Sequence, residues 1–142
     1  MGDYQISLIP YDGIGRVWPA IEPHVAKAVS YTDGRYEAFD VLHLLLTSDY
    51  HLWVAFCDDG IKGAVVTRFI DYPRKRYLFL EFCGGVDGFQ WKDKMLSVLR
   101  DWAKDNDCDG IEASGRDGWK KIFERDGYEP KLRNFELALN ER

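Results

Sequence analysis

The stretch FCGGVDGFQWKDKMLSVLRDWAKDNDCDGIEASGRDGWKKIFERDGYEPKLRNFELAL, residues 82–139, decides the fold. It reads as the end of a strand, a glycine loop, an amphipathic helix, a strand, a short helix, an Asp-Gly-Tyr turn and a last strand. Trp91, Met95, Val98, Leu99 and Trp102 recur at i, i+4, i+7, i+8 and i+11, which lines them along one helical face. Gly84, Gly85 and Gly88 break the pattern before this helix, and DNDCDG at residues 105–110 ends it. Gly110 to Ala113 then predicts a short strand, Asp117 to Arg125 a short helix, and Asn134 to Leu139 a final strand.

Working outward, three strands precede the loop. Leu52 to Cys57, Gly63 to Ile70 and Tyr77 to Cys83 are separated by Asp58-Asp59-Gly60 and by YPRKR at residues 72–76, so they predict an antiparallel meander. Ile6 to Ile9 is a further short strand. Val17, Ile21, Val25 and Val29 share a helical face. Proline removes an interior helical hydrogen bond, so Pro19 and Pro23 predict that regular helix begins only near Ile21. TDGR at residues 32–35 is a turn, and Glu37 to Leu46 a second helix with Phe39, Leu42, Leu45 and Leu46 on one side. The expected architecture is a single α/β (α+β) domain over residues 1–142. Its sheet is mixed and mostly antiparallel, with a central parallel pair and helices on both faces.

Composition narrows the function. The 142 residues are 46% hydrophobic and carry a formal charge of −5, so the chain can bury a core and is a poor generic binder of nucleic acid or anionic membrane. No apolar run is long enough to span a bilayer, and no basic-then-apolar leader opens the chain, which predicts a cytoplasmic protein. Cys57, Cys83 and Cys108 are widely spaced and fit neither a disulfide framework nor a metal motif. His24, His43 and His51 show no ligand spacing, so no metal is expected, and His51 is expected to lie exposed ahead of its strand. Ser114-Gly115 lacks the context of a nucleophile elbow. The basic turn at Pro73 to Arg76 and the cluster Lys120, Lys121 and Arg125 are either docking points for an acidic partner or ordinary solvated faces.

The element order, with DGRYEAFDVLHLLL, HLWVAF, GAVVTRFIDYPRKR, WAKDNDCDGIEASGRDGW and DGYEP, resembles the GNAT (Gcn5-related N-acetyltransferase) fold, and among its members small proteins of tailed bacteriophages. The resemblance implies an acetyl-CoA cofactor held by Phe82, Cys83, Gly84, Gly85, Gly88 and Arg116. It also implies an amine acceptor, either a small molecule or a protein. Two signatures depart from the family. The loop CGGVDGFQW lacks the family's [RQ]-x-x-G-x-[GA] and places Asp87 where an anion would bind. Phe123 stands where the family often has a tyrosine acid, and phenylalanine donates no proton. Trp119 replaces a small residue and would fill space near the cofactor.

A transferase of this type needs a base for the attacking amine, and Glu81 and Glu112 lie on the two strands that would flank the cleft. Each is otherwise a solvated strand residue or a partner for Arg68, Arg74 or Arg76. Tyr128 is expected to pack in the core with its hydroxyl at the rim. Two functions stay open: an acyltransferase, or a non-catalytic module of a phage particle that contacts phage or host proteins.

Overall fold

Five strands and four helices follow one another in a computed structural model that describes residues 3–114 and 117–139. The order is β1 (Gln5–Ile9), α1 (Ile14–Val29), α2 (Ala38–Thr47), β2 (Tyr50–Cys57), β3 (Gly60–Asp71), β4 (Arg76–Gly85), α3 (Gly88–Asp105), β5 (Gly110–Ala113) and α4 (Lys120–Arg125). The strands form one sheet in the order β1-β2-β3-β4-β5. Every pairing is antiparallel except β4 with β5. This is the mixed α+β architecture expected, with helices on both faces.

Side chains alternate across a strand, so each central strand feeds two cores. Leu52, Val54, Ala64 and Val66 face α1 and α2, where Ile21, Val25, Val41 and Leu45 are buried. Trp53, Val65, Leu78 and Leu80 face α3, against Trp91, Met95, Leu96 and Leu99.

Three local expectations need correction. Helix α1 begins at Ile14 and contains both prolines. Pro19 and Pro23 lie one turn apart and exposed, and the carbonyls they deprive of partners, at Gly15 and Pro19, also belong to exposed residues. Solvent can satisfy them, so the helix continues. In α2 the buried residues are Val41 and Leu45, while Phe39 is 73% exposed. The reciprocal capping box between Glu37 and Asp40 fixes the start of that helix. Its i, i+4 pair, rather than Phe39, meets the sheet.

The third correction is the last strand. Residues 129–139 form neither helix nor strand, although Asn134 to Leu139 alternates as a strand would. An alternating sequence is extended but becomes a strand only when a neighbour takes its backbone hydrogen bonds. None does here, so among the described residues β5 is an edge and the parallel pair lies at the side of the sheet.

Candidate active site

A bulge in β4 organises the site. Val66 pairs with Phe82 and the next residue, Thr67, pairs with Leu80, which leaves Glu81 opposite no residue of β3. Such an extra residue sends two successive side chains to the same face of the sheet and sharpens the local twist. Here Phe82 joins the α1/α2 core, whereas Leu78 and Leu80 belong to the α3 core.

The pairing of β4 with β5 ends at the same place. Leu80 with Ala113 is the last registered pair, and among the described residues no strand pairs with β4 on that side from Glu81 through Gly85. β5 therefore ends just short of the bulge. Gly84 and Gly85 are still strand, paired with Ala64 and Gly63. Their lack of a Cβ serves packing. A Cβ on Gly84 would stand 2.1 Å from the His24 carbonyl oxygen of α1, and one on Gly85, at φ +155°, would stand 2.5 Å from that of Lys62. Gly88 opens α3, and there a Cβ would meet only the flexible end of Lys92. The first N–H groups of this 18-residue helix are donors that the helix itself does not use.

Glu81 is the centre of a polar cluster. Its Oε1 accepts from Arg68 Nε at 2.6 Å, and its Oε2 lies 3.5 Å from the Tyr36 hydroxyl. Its side chain is 12% exposed against 34% for Arg68. The guanidinium lies 5.2 Å from the Phe79 ring centre and 5.8 Å from that of Tyr50. Burial, and then the Glu81 carboxylate, hold the Tyr36 and Tyr50 hydroxyls above the usual tyrosine range. Arg68 was foreseeable as a partner of Glu81. Tyr36 and Tyr50 come from distant elements, and no spacing in the sequence connects them to it.

The other expected site residues are dispersed. Glu112 accepts from the exposed Tyr72 hydroxyl at 2.6 Å. Phe82 is buried against Tyr36, at 5.0 Å between ring centres. Cys83 packs against the α3 core, where burial pushes its thiol up to about 12. Arg116 lies outside the described residues.

Trp119, just before α4, is buried and stacks on Phe123 at 5.3 Å. With Leu80, Cys83, Trp91 and Lys92 it encloses a gap with no room for a water molecule. The Lys92 ammonium sits 3.9 Å from its ring centre. Tyr128 lies tilted against Phe123, with 5.0 Å between ring centres. Its hydroxyl is buried rather than at the rim and has no hydrogen-bond partner among the described residues, and burial pushes its pKa well above the usual tyrosine range.

His51 is not exposed ahead of its strand but part of β2. Its Nδ1 lies 2.9 Å from Thr67 Oγ1, which also accepts from Trp53 Nε1 at 3.1 Å. Among the described residues no three His, Cys, Asp or Glu side chains gather as a metal site would require, and no helix is long and apolar enough to cross a membrane.

A five-strand sheet whose parallel β4–β5 pairing stops beside a bulge, with a helix following β4, is found in solved structures. A putative acetyltransferase from Pyrococcus furiosus superposes with a TM-score of 0.72 at 15% identity, over 96% of this chain and all of its own (100%). The fold is that of the GNAT acetyltransferases. A ribosomal-protein-alanine N-acetyltransferase from Brucella melitensis biovar Abortus 2308 gives a TM-score of 0.71 at 16% identity, covering 95% of this chain and 99% of its own. The aminoglycoside N-acetyltransferase AAC(6')-Iy, solved with CoA, gives 0.67 at 13% identity, covering 97% and 95%. No protein-family model and no curated protein matches the sequence. At such identities the GNAT likeness establishes architecture, and function is argued from the site.

Proposed function

We propose that this chain is an acetyl-CoA-dependent N-acetyltransferase that acts on an amine. The observation that carries this reading is the end of the parallel β4–β5 pairing at Leu80 and Ala113, with bulged Glu81 beside it. The first turn of α3 would take the pyrophosphate on the N–H groups of Gly88 and Phe89, against the opposing charge of the N-cap residue Asp87, whose carbonyl already accepts from Gln90 N–H. The backbone of Phe82, Cys83, Gly84 and Gly85 would flank the acyl arm, and Arg116 enters by resemblance alone. The arm fits between the strands only when the Trp119 indole swings aside.

Acetyl-CoA, when bound, supplies the activated acyl group. Glu81 Oε2 is the atom that would take the amine proton, since Oε1 is held by Arg68. Glu112, tied to Tyr72, is the second candidate base. Burial makes Tyr128 a weak acid, so water reprotonates the thiolate that Phe123 cannot serve. The aminoglycoside relatives support a small-molecule amine as acceptor, and a cytoplasmic setting accords with the cofactor.

A second reading, a non-catalytic GNAT-fold protein of a phage particle that works through phage or host protein contacts, is favoured by one observation, buried Trp119 in the acyl path. The phage assignment rests on sequence resemblance alone.

Titration with acetyl-CoA, followed by melting temperature, separates the two. Ligand at 100 times its Kd stabilises by about 2.7 kcal/mol. Gly88→Asp is the control, because it adds repelling charge at the helix N-terminus without a backbone clash. A shift in the wild type that disappears in the control supports the transferase. No shift at millimolar ligand, in wild type and in Trp119→Ala alike, sinks it.

A further inference from the structure

The cluster at the bulge holds more hydrogen-bonding capacity than proton transfer alone uses. A guanidinium carries five N–H donors. Among the described residues only Nε–H of Arg68 has a hydrogen-bond partner, Glu81 Oε1 at 2.6 Å. The terminal nitrogens, Nη1 and Nη2, are left over on a side chain that is partly open to solvent.

The group is nevertheless fixed in place. Arg68 pairs with Tyr50 on β2 and with Phe79 on β4, so the three side chains share one face of the sheet. Its guanidinium lies 5.8 Å and 5.2 Å from the centres of those two rings. Flanked by rings and tied through Nε, the planar fork stays aimed and loses little rotamer freedom on binding. Beside it, Glu81 Oε2 faces the Tyr36 hydroxyl at 3.5 Å, a contact long enough for a better donor to displace.

Unused donors on Arg68 thus stand next to a loosely held acceptor on Glu81. A lone amine would engage only the second. A polyamine would bring further positive charge against Arg68, which repels it. A molecule with a carboxylate next to its amine matches both, with its nitrogen at Oε2 and its carboxylate across Nη1 and Nη2. The half-buried rings of Tyr36, Tyr50 and Phe79 offer an apolar flank for its side chain.

We infer that the acceptor is an amino carboxylate, an α-amino acid with an apolar side chain, and that Arg68 selects it. The inference rests on the proposed transferase reading, in which Glu81 takes the amine proton. Arg68 then has two tasks. Nε holds the base, and the terminal nitrogens hold the acceptor with its nitrogen at that base. The transfer itself is unchanged: the neutral amine forms the amide C–N bond, the thioester C–S bond breaks, Glu81 takes the amine proton and water returns one to the thiolate.

The test compares leucine and phenylalanine with leucinamide and phenylalaninamide, which keep the amine and the side chain and lose the anion. Binding is read without cofactor from the ring resonances of Tyr36 and Tyr50, and acetylation from thiol release with acetyl-CoA. Expected in the wild type is a preference of about 10–10²-fold for each acid over its amide, the worth of hydrogen bonds between charged groups. In Arg68→Gln the preference should vanish because the acids bind less well, with the amides little changed. Melting shows whether that variant folds. Arg68→Lys, which keeps the charge and loses the fork, should retain part of the preference. An arginine that only positions Glu81 would weaken acids and amides alike, so equal losses overturn the inference. A preference that survives in Arg68→Gln overturns it too, as does a wild type without preference, for which no variant is needed. Acids that bind through Arg68 with no thiol release support the anion site and sink the transferase reading. Thiol release without preference for acids does the reverse.

Discussion

Arg68 and Glu81 meet at 2.6 Å across a point in the sheet where Glu81 has no pairing partner on β3. The bulge aims the carboxylate and the arginine anchors one of its oxygens. Arg68→Ala leaves a largely buried carboxylate without its charge-assisted bond and should destabilise by about 1–2 kcal/mol in urea titrations. Arg35→Ala, at an ion pair about half exposed on both sides, should change stability by less than about 0.5 kcal/mol. Equal effects would remove the special standing given to the Arg68 pair.

Glu81→Gln keeps the shape of the side chain and removes its basicity. If the proposed transferase reading holds, kcat should fall by about 10²–10⁴ with melting little changed. A variant with full turnover would transfer the role of base to Glu112 or to water.

Protonation of His51 should weaken the fold. Burial lowers its pKa, opposed by Asp49 and reinforced by Arg76, so the folded protein holds the ring neutral. Its contribution is fully present above the unfolded value of about 6.5 and is lost as pH falls through the lower folded value. Stability measured at pH 5 should therefore fall relative to pH 7.5 by more in the wild type than in His51→Phe. Identical pH dependence would show that His51 charges freely in the fold. Thr67, which serves both His51 and Trp53, should cost about 1–3 kcal/mol as Thr67→Val.

Trp119→Ala removes a buried indole and should destabilise by about 3–5 kcal/mol. It should at the same time tighten acetyl-CoA binding if the indole blocks the acyl path. Calorimetry that finds binding weakened instead would make Trp119 part of the cofactor site rather than its obstruction.

Two glycines should respond in opposite directions to alanine. Gly84→Ala sets a Cβ against the His24 carbonyl and should cost about 1–3 kcal/mol as α1 is pushed from β4. Gly15 in α1 has nothing within 4 Å of a Cβ, and Gly15→Ala should stabilise by about 0.4–1 kcal/mol. Thermal melts of the pair decide it.

Most of the fold was legible because its signals are local. Asp58-Asp59-Gly60 and YPRKR mark both hairpins, and the spacing of Trp91, Met95 and Leu99 marks α3. Misreadings arose where a neighbour decides the outcome. The two prolines of α1 are tolerated because their faces are exposed, which periodicity cannot show. The alternation of Asn134 to Leu139 was visible, but its lack of a pairing partner was not. Glu81 was legible as a candidate from its place on a strand. Its surroundings were not, because Leu78, Leu80 and Phe82 read as an unbroken alternation that hides the bulge.

The extra residue at Glu81 also acts as a phase shift built into β4. Before it, even-numbered positions serve the α3 core. After it, Phe82 and Gly84 serve the opposite layer, and Cys83 takes the α3 side. Deleting this one residue would leave Leu80, Phe82 and Cys83 in plain alternation on the faces they already occupy, with Phe82 still opposite Val66. The residue is thus an insertion that both cores tolerate, and its loss would be felt by the site rather than by either layer.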